Sequence, residues 1–157
     1  STSLAPGGVW AMKQRIHRTA CAALALIALS LTGAVTQCQW KNLIVEIPDL
    51  EVNQIQGLQL WRADDETSQS FTEAARVVFG DCFLENGMEL MQYTMLDSQN
   101  QPIGFLAPAT VVRGEDANGA ATLVFFFAGW SEPPGWIRVT TFNAVGESEL
   151  SDEAVFL

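Results

Sequence analysis

The chain has 157 residues, eighteen acidic side chains against eight basic ones, and a single histidine, for a net charge of −10. Lys13, Arg15, Arg18 and His17 all lie near the N-terminus, so from Val35 onward five cations face all eighteen anions, a net −13. A body this acidic repels phosphate backbones and anionic membrane surfaces, which argues against nucleic-acid binding; without histidine it has no His-based triad, His-ligated metal or His acid–base step.

In chain order, Ser1–Ala11 has no periodicity and reads as upstream sequence translated in frame. Met12 opens a different pattern: a basic stretch through Arg18, an unbroken apolar run over Ala20–Leu31, then small residues. That is the layout of a secretory signal peptide, expected as a helix over residues 12–36 and cleaved after Ala34 or Thr36. The apolar run is twelve residues, against the ~20 needed to span a bilayer; a retained anchor is the alternative to cleavage. The expected location is secreted, or periplasmic in the cell envelope. Cys21 falls in the leader, leaving Cys38 and Cys82. An even count in an oxidising compartment predicts one disulfide between them. It would close a loop of about 44 residues and contribute up to ~4 kcal/mol.

Residues 37–157 read as one β-rich domain. Asn42–Pro48 is an apolar run stopped by proline, the pattern of an edge strand. Ile55–Ala63 alternates, with Leu58, Leu60 and Arg62 against Gln59 and Trp61, as a half-buried strand does. Residues 64–87 are longer than an ordinary inter-strand loop and are set apart as an insertion. Inside it, Ser70 and Glu73 have capping-box spacing, Phe71, Ala74, Ala75 and Val78 share a helical face, and Gly80 suits the C′ position. One short helix is expected there, although the β-branched pair Val77–Val78 works against it.

Asn86–Gly87 is a hairpin turn signal. The strand Met88–Asp97 follows, with Met91, Tyr93 and Met95 on its more apolar face. Ser98–Pro102 turns, Ile103–Arg113 resumes with a break at Pro108, and Asn118–Gly119 tips another turn. Ala121–Trp130 is a continuous apolar run expected as a central core strand. The last stretch, "WIRVTTFNAVGESELSD" from Trp136 to Asp152, alternates, turns at Asn143–Gly146 and begins to alternate again. Many short strands with regular turns predict an all-β sandwich.

The segment "IRVTTFNAVGESELS" resembles the last two strands of a fibronectin type III domain. Val139, Thr141, Asn143 and Gly146 fall on that family's spacing, Arg138 fits the basic position before the valine, and Ser151 precedes the final strand. The resemblance covers about twenty residues strongly and implies a fibronectin III/immunoglobulin-like sandwich. One departure stands out: the family's tyrosine would fall at Gly135, with Trp136 one residue away, so the tyrosine-corner hydrogen bond is expected to be missing.

No nucleotide-binding or nucleophile-elbow motif is present, and no enzyme, cofactor or metal site is expected. Paired carboxylates such as Glu115–Asp116 read as solvated loop charges; Glu115, Asp116 and Asn118 could offer calcium hard oxygens, but their spacing is not that of an EF-hand. A fold of this kind fixes no function. The expectation is a non-catalytic module that binds a protein partner or serves envelope assembly, through an edge strand or through the 64–87 insertion. Carbohydrate binding is the alternative, with Trp61 and Trp136 as the rings that would stack on a sugar.

Overall fold

A computed structural model describes the main chain of residues 15–17, together with residues 41–104, 106–114, 120–128 and 133–157. Of the segment expected as a signal helix, residues 12–36, only Arg15–His17 is described, and it is a strand; Cys38 and the acidic turn with Glu115, Asp116 and Asn118 also lie outside the described residues. Nine strands form among those described: β1 (Arg15–His17), β2 (Lys41–Ile47), β3 (Gly57–Ala63), β4 (Thr72–Glu85), β5 (Met88–Asp97), β6 (Ala109–Arg113), β7 (Ala121–Phe127), β8 (Trp136–Phe142) and β9 (Val155–Phe156). All pair antiparallel, in the order β1-β2-β7-β6-β5-β4-β3-β8-β9. The expected edge strand at Asn42–Pro48 is thus β2, lying between β7 and the three-residue β1.

The sheet is curled, and its two halves share one core. Alternation puts Leu43, Val45 and Ile47 of β2 and Leu123, Phe125 and Phe127 of β7 inward. They meet Leu58 and Leu60 of β3, Val77 of β4 and Ile137 and Val139 of β8 in the same apolar cluster. Phe125 spans the gap: its ring stacks on Phe79 of β4 at 6.4 Å and takes the edge of Tyr93 of β5 at 5.1 Å. The join between the halves is short. Among the described residues, β5 and β6 pair only at Leu90 with Thr110 and Met91 with Ala109.

The expected helix over residues 70–80 is absent: Thr72–Glu85 is a strand, paired with β3 from Thr72 to Val78 and with β5 from Ala75 to Glu85. Two irregularities explain why it imitates a helix. The β3–β4 register shifts beside Leu60, so Ala74 and Ala75 are both buried, and the β4–β5 register shifts between Phe79 and Cys82. Each bulge adds a residue and moves the inward set by one, so alternation looks like helical spacing. With partners on both sides, the β-branched pair prevails over a capping signal.

The final hairpin forms as the turn residues require. The Asn143 side chain accepts from the N–H groups of Val145 (2.8 Å) and Gly146 (3.1 Å), and its amide donates to the Asn53 carbonyl at 2.8 Å. Beyond the turn, two buried serines replace main-chain acceptors. Ser148 Oγ accepts from the Thr141 N–H and Ser151 Oγ from the Val139 N–H, at 2.8 and 3.1 Å. In return the N–H of each serine donates to the carbonyl of the same residue, at 2.8 and 2.9 Å. Each rung is therefore half side chain, which lets the chain veer from β8 without stranding a buried donor.

Candidate functional site

The β4–β5 hairpin reaches past the body of the sheet because its two strands outrun their neighbour. β3 pairs with β4 only as far as Gly57 opposite Val78. From Gly80 to Glu85, β4 has β5 as its one strand partner among the described residues. Asn86 and Gly87 close the hairpin with φ of 51° and 78°, the left-handed pair a two-residue type I′ turn demands. In such a hairpin the rungs to β5 fall at Glu85 and Phe83, so the N–H and C=O groups of Cys82 and Leu84 point to the open side.

The side chains at this tip are apolar and acidic. Leu84 is 78% exposed and Met88, on the opposite face, 52%. Asp81 and Glu85 form no ion pair among the described residues and stand in solvent. The base of the hairpin is anchored instead. Arg113 of β6 binds both oxygens of Glu89, at 3.1 Å from Nε and 2.8 Å from Nη2, and its Nη1 reaches Glu51 at 2.7 Å. Those hydrogen bonds hold the Glu89 carboxyl below its ordinary range. Cys82 is exposed, and partial burial of its thiol, followed by the Glu89 charge, pushes its pKa up. It is not an activated nucleophile. Among the described residues it forms no disulfide, and its expected partner Cys38 lies outside them.

A row of opposed residues leads across the outer side of the sheet to this edge. Ile44 faces Val124, Val124 faces Thr110, Thr110 faces Leu90 and Leu90 faces Phe83. Directly opposed residues lie on one face, so the row is a mostly apolar strip ending at Phe83, beside the open side of β4. Val112, 54% exposed, and Phe126 flank it.

The two tryptophans come together on the outer face of the other half. Trp61 sits opposite Arg138, and Trp136 opposite Ala63, one step along the same two strands. Trp61 Nε1 donates to Thr140 Oγ1 at 3.0 Å, and Trp136 meets the Phe156 ring edge-on at 5.5 Å. The same face holds two cation–π pairs, Arg138 over Phe71 at 5.0 Å and Arg76 over Phe142 at 4.2 Å. The sequence does not reveal these two pairs, because its reading of residues 70–80 places Phe71 and Arg76 on a helix. Both tryptophans are half-buried and already engaged, so the face is a covered sheet surface more than an open platform.

Among the described residues no group of three or more His, Cys, Asp or Glu could hold a metal ion, and no helix is long and apolar enough to cross a membrane. Comparison with models of known protein families, with curated proteins and with solved structures found no match for this chain.

Proposed function

We propose that the domain is an exported, non-catalytic sandwich of the fibronectin III/immunoglobulin kind that binds a protein partner at the tip of the β4–β5 hairpin. The strand order supports the fold reading. Leaving aside β1, which lies in the segment that export would remove, and lettering β2 to β9 as B, C, C′, C″, D, E, F and G, the strands run B-E-D and then C″-C′-C-F-G. Those are the two sheets of the variable-type immunoglobulin arrangement without its strand A. The cysteine pair that antibody domains place between strands B and F has no counterpart, since β2 and β8 carry none. The tyrosine position is closed as well: a Cβ on Gly135 would come 2.5 Å from Arg62 Nε. The Arg62 guanidinium fills that place, with Nη2 bound to the Pro134 carbonyl at 2.8 Å.

The binding reading is carried by one observation, a 78% exposed Leu84 on a strand segment whose open side has no strand partner among the described residues. An apolar side chain on an open edge invites pairing and aggregation unless a partner covers it. The test is affinity capture from the extracytoplasmic fraction of the source cells, followed by direct binding of the captured protein. Leu84→Lys with Met88→Lys should weaken binding about tenfold or more, while Trp61→Ala leaves it unchanged. The reverse pattern, with glycans bound and lost on Trp61→Ala or Trp136→Ala, would transfer the function to the tryptophan face. Intact mass with and without reductant tests export: a chain beginning near Val35, lighter by the hydrogens of one disulfide, is the expected species.

A further inference from the structure

From the charge and register of the open β4 segment we infer the chemistry of its partner: an extended strand that alternates basic, apolar and basic side chains and pairs antiparallel with Gly80–Glu85. This rests on the reading of the hairpin tip as a binding site. Outward along the segment stand Asp81, Phe83 and Glu85, one aromatic between two carboxylates that form no ion pair among the described residues. A strand laid beside β4 brings its own outward side chains level with these three, at spacing i, i+2, i+4. The middle position prolongs the apolar row from Ile44 to Phe83, so it is aliphatic or aromatic. The two flanking positions meet carboxylates, so they are Lys or Arg. The intervening side chains turn to the opposite face, where Leu84 stands exposed, and are apolar too.

A second copy of this chain does not meet that specification. Antiparallel self-pairing centred on Phe83 sets Asp81 directly opposite Glu85 twice, and like charges face to face oppose pairing. With eighteen anions against five cations from Val35 onward, the approach of two copies is repelled over longer range as well. The same field draws a cationic segment in, and salt screens that attraction.

The experiment uses the full domain, amide-labelled, titrated with three capped heptapeptides at low salt. The first is Thr-Lys-Val-Val-Val-Lys-Thr, the second replaces both lysines by glutamate, and the third is the first N-methylated on the residues flanking its central valine. The first should shift the amides of Cys82 and Leu84 and bind about tenfold more tightly than the second, from two exposed charge contacts exchanged for two repulsions. The N-methylated peptide should not bind, since its side chains are unchanged but its pairing donors are gone. Asp81→Lys with Glu85→Lys should invert the preference between the first two, and both sites are exposed, so the fold stands.

Equal binding of the lysine and glutamate peptides, still abolished by N-methylation, would overturn the charge specification and leave the hairpin as a binding edge. Binding that survives N-methylation would overturn strand pairing. If no peptide moves the hairpin amides, or the domain alone sediments as a dimer through this edge, the inference and the hairpin reading both fall.

Discussion

Replacing Ser151 by alanine removes one oxygen and leaves the backbone alone. That oxygen accepts from the Val139 N–H at 3.1 Å and donates to the Glu153 carbonyl at 3.1 Å. Val139 is fully buried and Ser151 nearly so, so no water replaces the acceptor. The reciprocal bond from the Ser151 N–H to the Val139 carbonyl stays, and losing a hydroxyl opens little volume. The cost is therefore that of one stranded buried donor, about 1–3 kcal/mol. With a urea slope of about 2 kcal/mol/M, the unfolding midpoint should fall by about 1 M with the slope unchanged. Hydrogen exchange at the Val139 amide should accelerate while that of Leu58, on the neighbouring strand, follows only the global loss. A midpoint within about 0.2 M of the parent, or unchanged protection at Val139, would refute the idea that serine oxygens complete the β8 ladder.

Gly57→Ala should be more damaging, because the new methyl runs into the Val77 carbonyl oxygen and the Phe142 ring; a loss of about 3 kcal/mol or failure to fold is expected in a thermal melt. Glu89→Gln tests the Arg113 anchor. The folded carboxyl titrates below its ordinary 4.5, so its contribution is present above that value and lost as pH falls through the folded pKa. The stability gap between parent and Glu89→Gln, from denaturation at a series of pH values, should be constant near neutrality and shrink below about pH 4.5. Trp61→Phe keeps an aromatic ring but leaves the buried Thr140 Oγ1 without its indole donor; a loss of about 1 kcal/mol in urea is expected.

Much of the strand pattern was legible in the sequence, because alternation reports burial wherever a strand is regular. β5 turned Met91 and Met95 inward as expected, and β8 turned Ile137, Val139 and Thr141. Phe142, on the outer side of β8 by alternation, is nonetheless buried there by Arg76 and the space above Gly57, a contact between three strands that no local pattern encodes. β4 was misread because two bulges break its period. Residues 64–87, set apart as an insertion, supply that strand to the sheet's interior. The open side of β4 was illegible for another reason. It depends on where β3 stops relative to β4, a difference in the reach of two strands that no residue type records.

The short join at Leu90–Thr110 and Met91–Ala109 bears on how the molecule behaves with temperature. Within each half, ladders run most of the strand length; β2 and β7 stay in register from Lys41–Phe127 to Ile47–Ala121. Across the join there is little main-chain bonding to lose, so what keeps the curl shut is the shared filling around Phe125. Apolar burial weakens on cooling. The fold is in this respect a clasp closed by its contents and not by its hinge, and its grip between the halves slackens in the cold before the ladders inside them do.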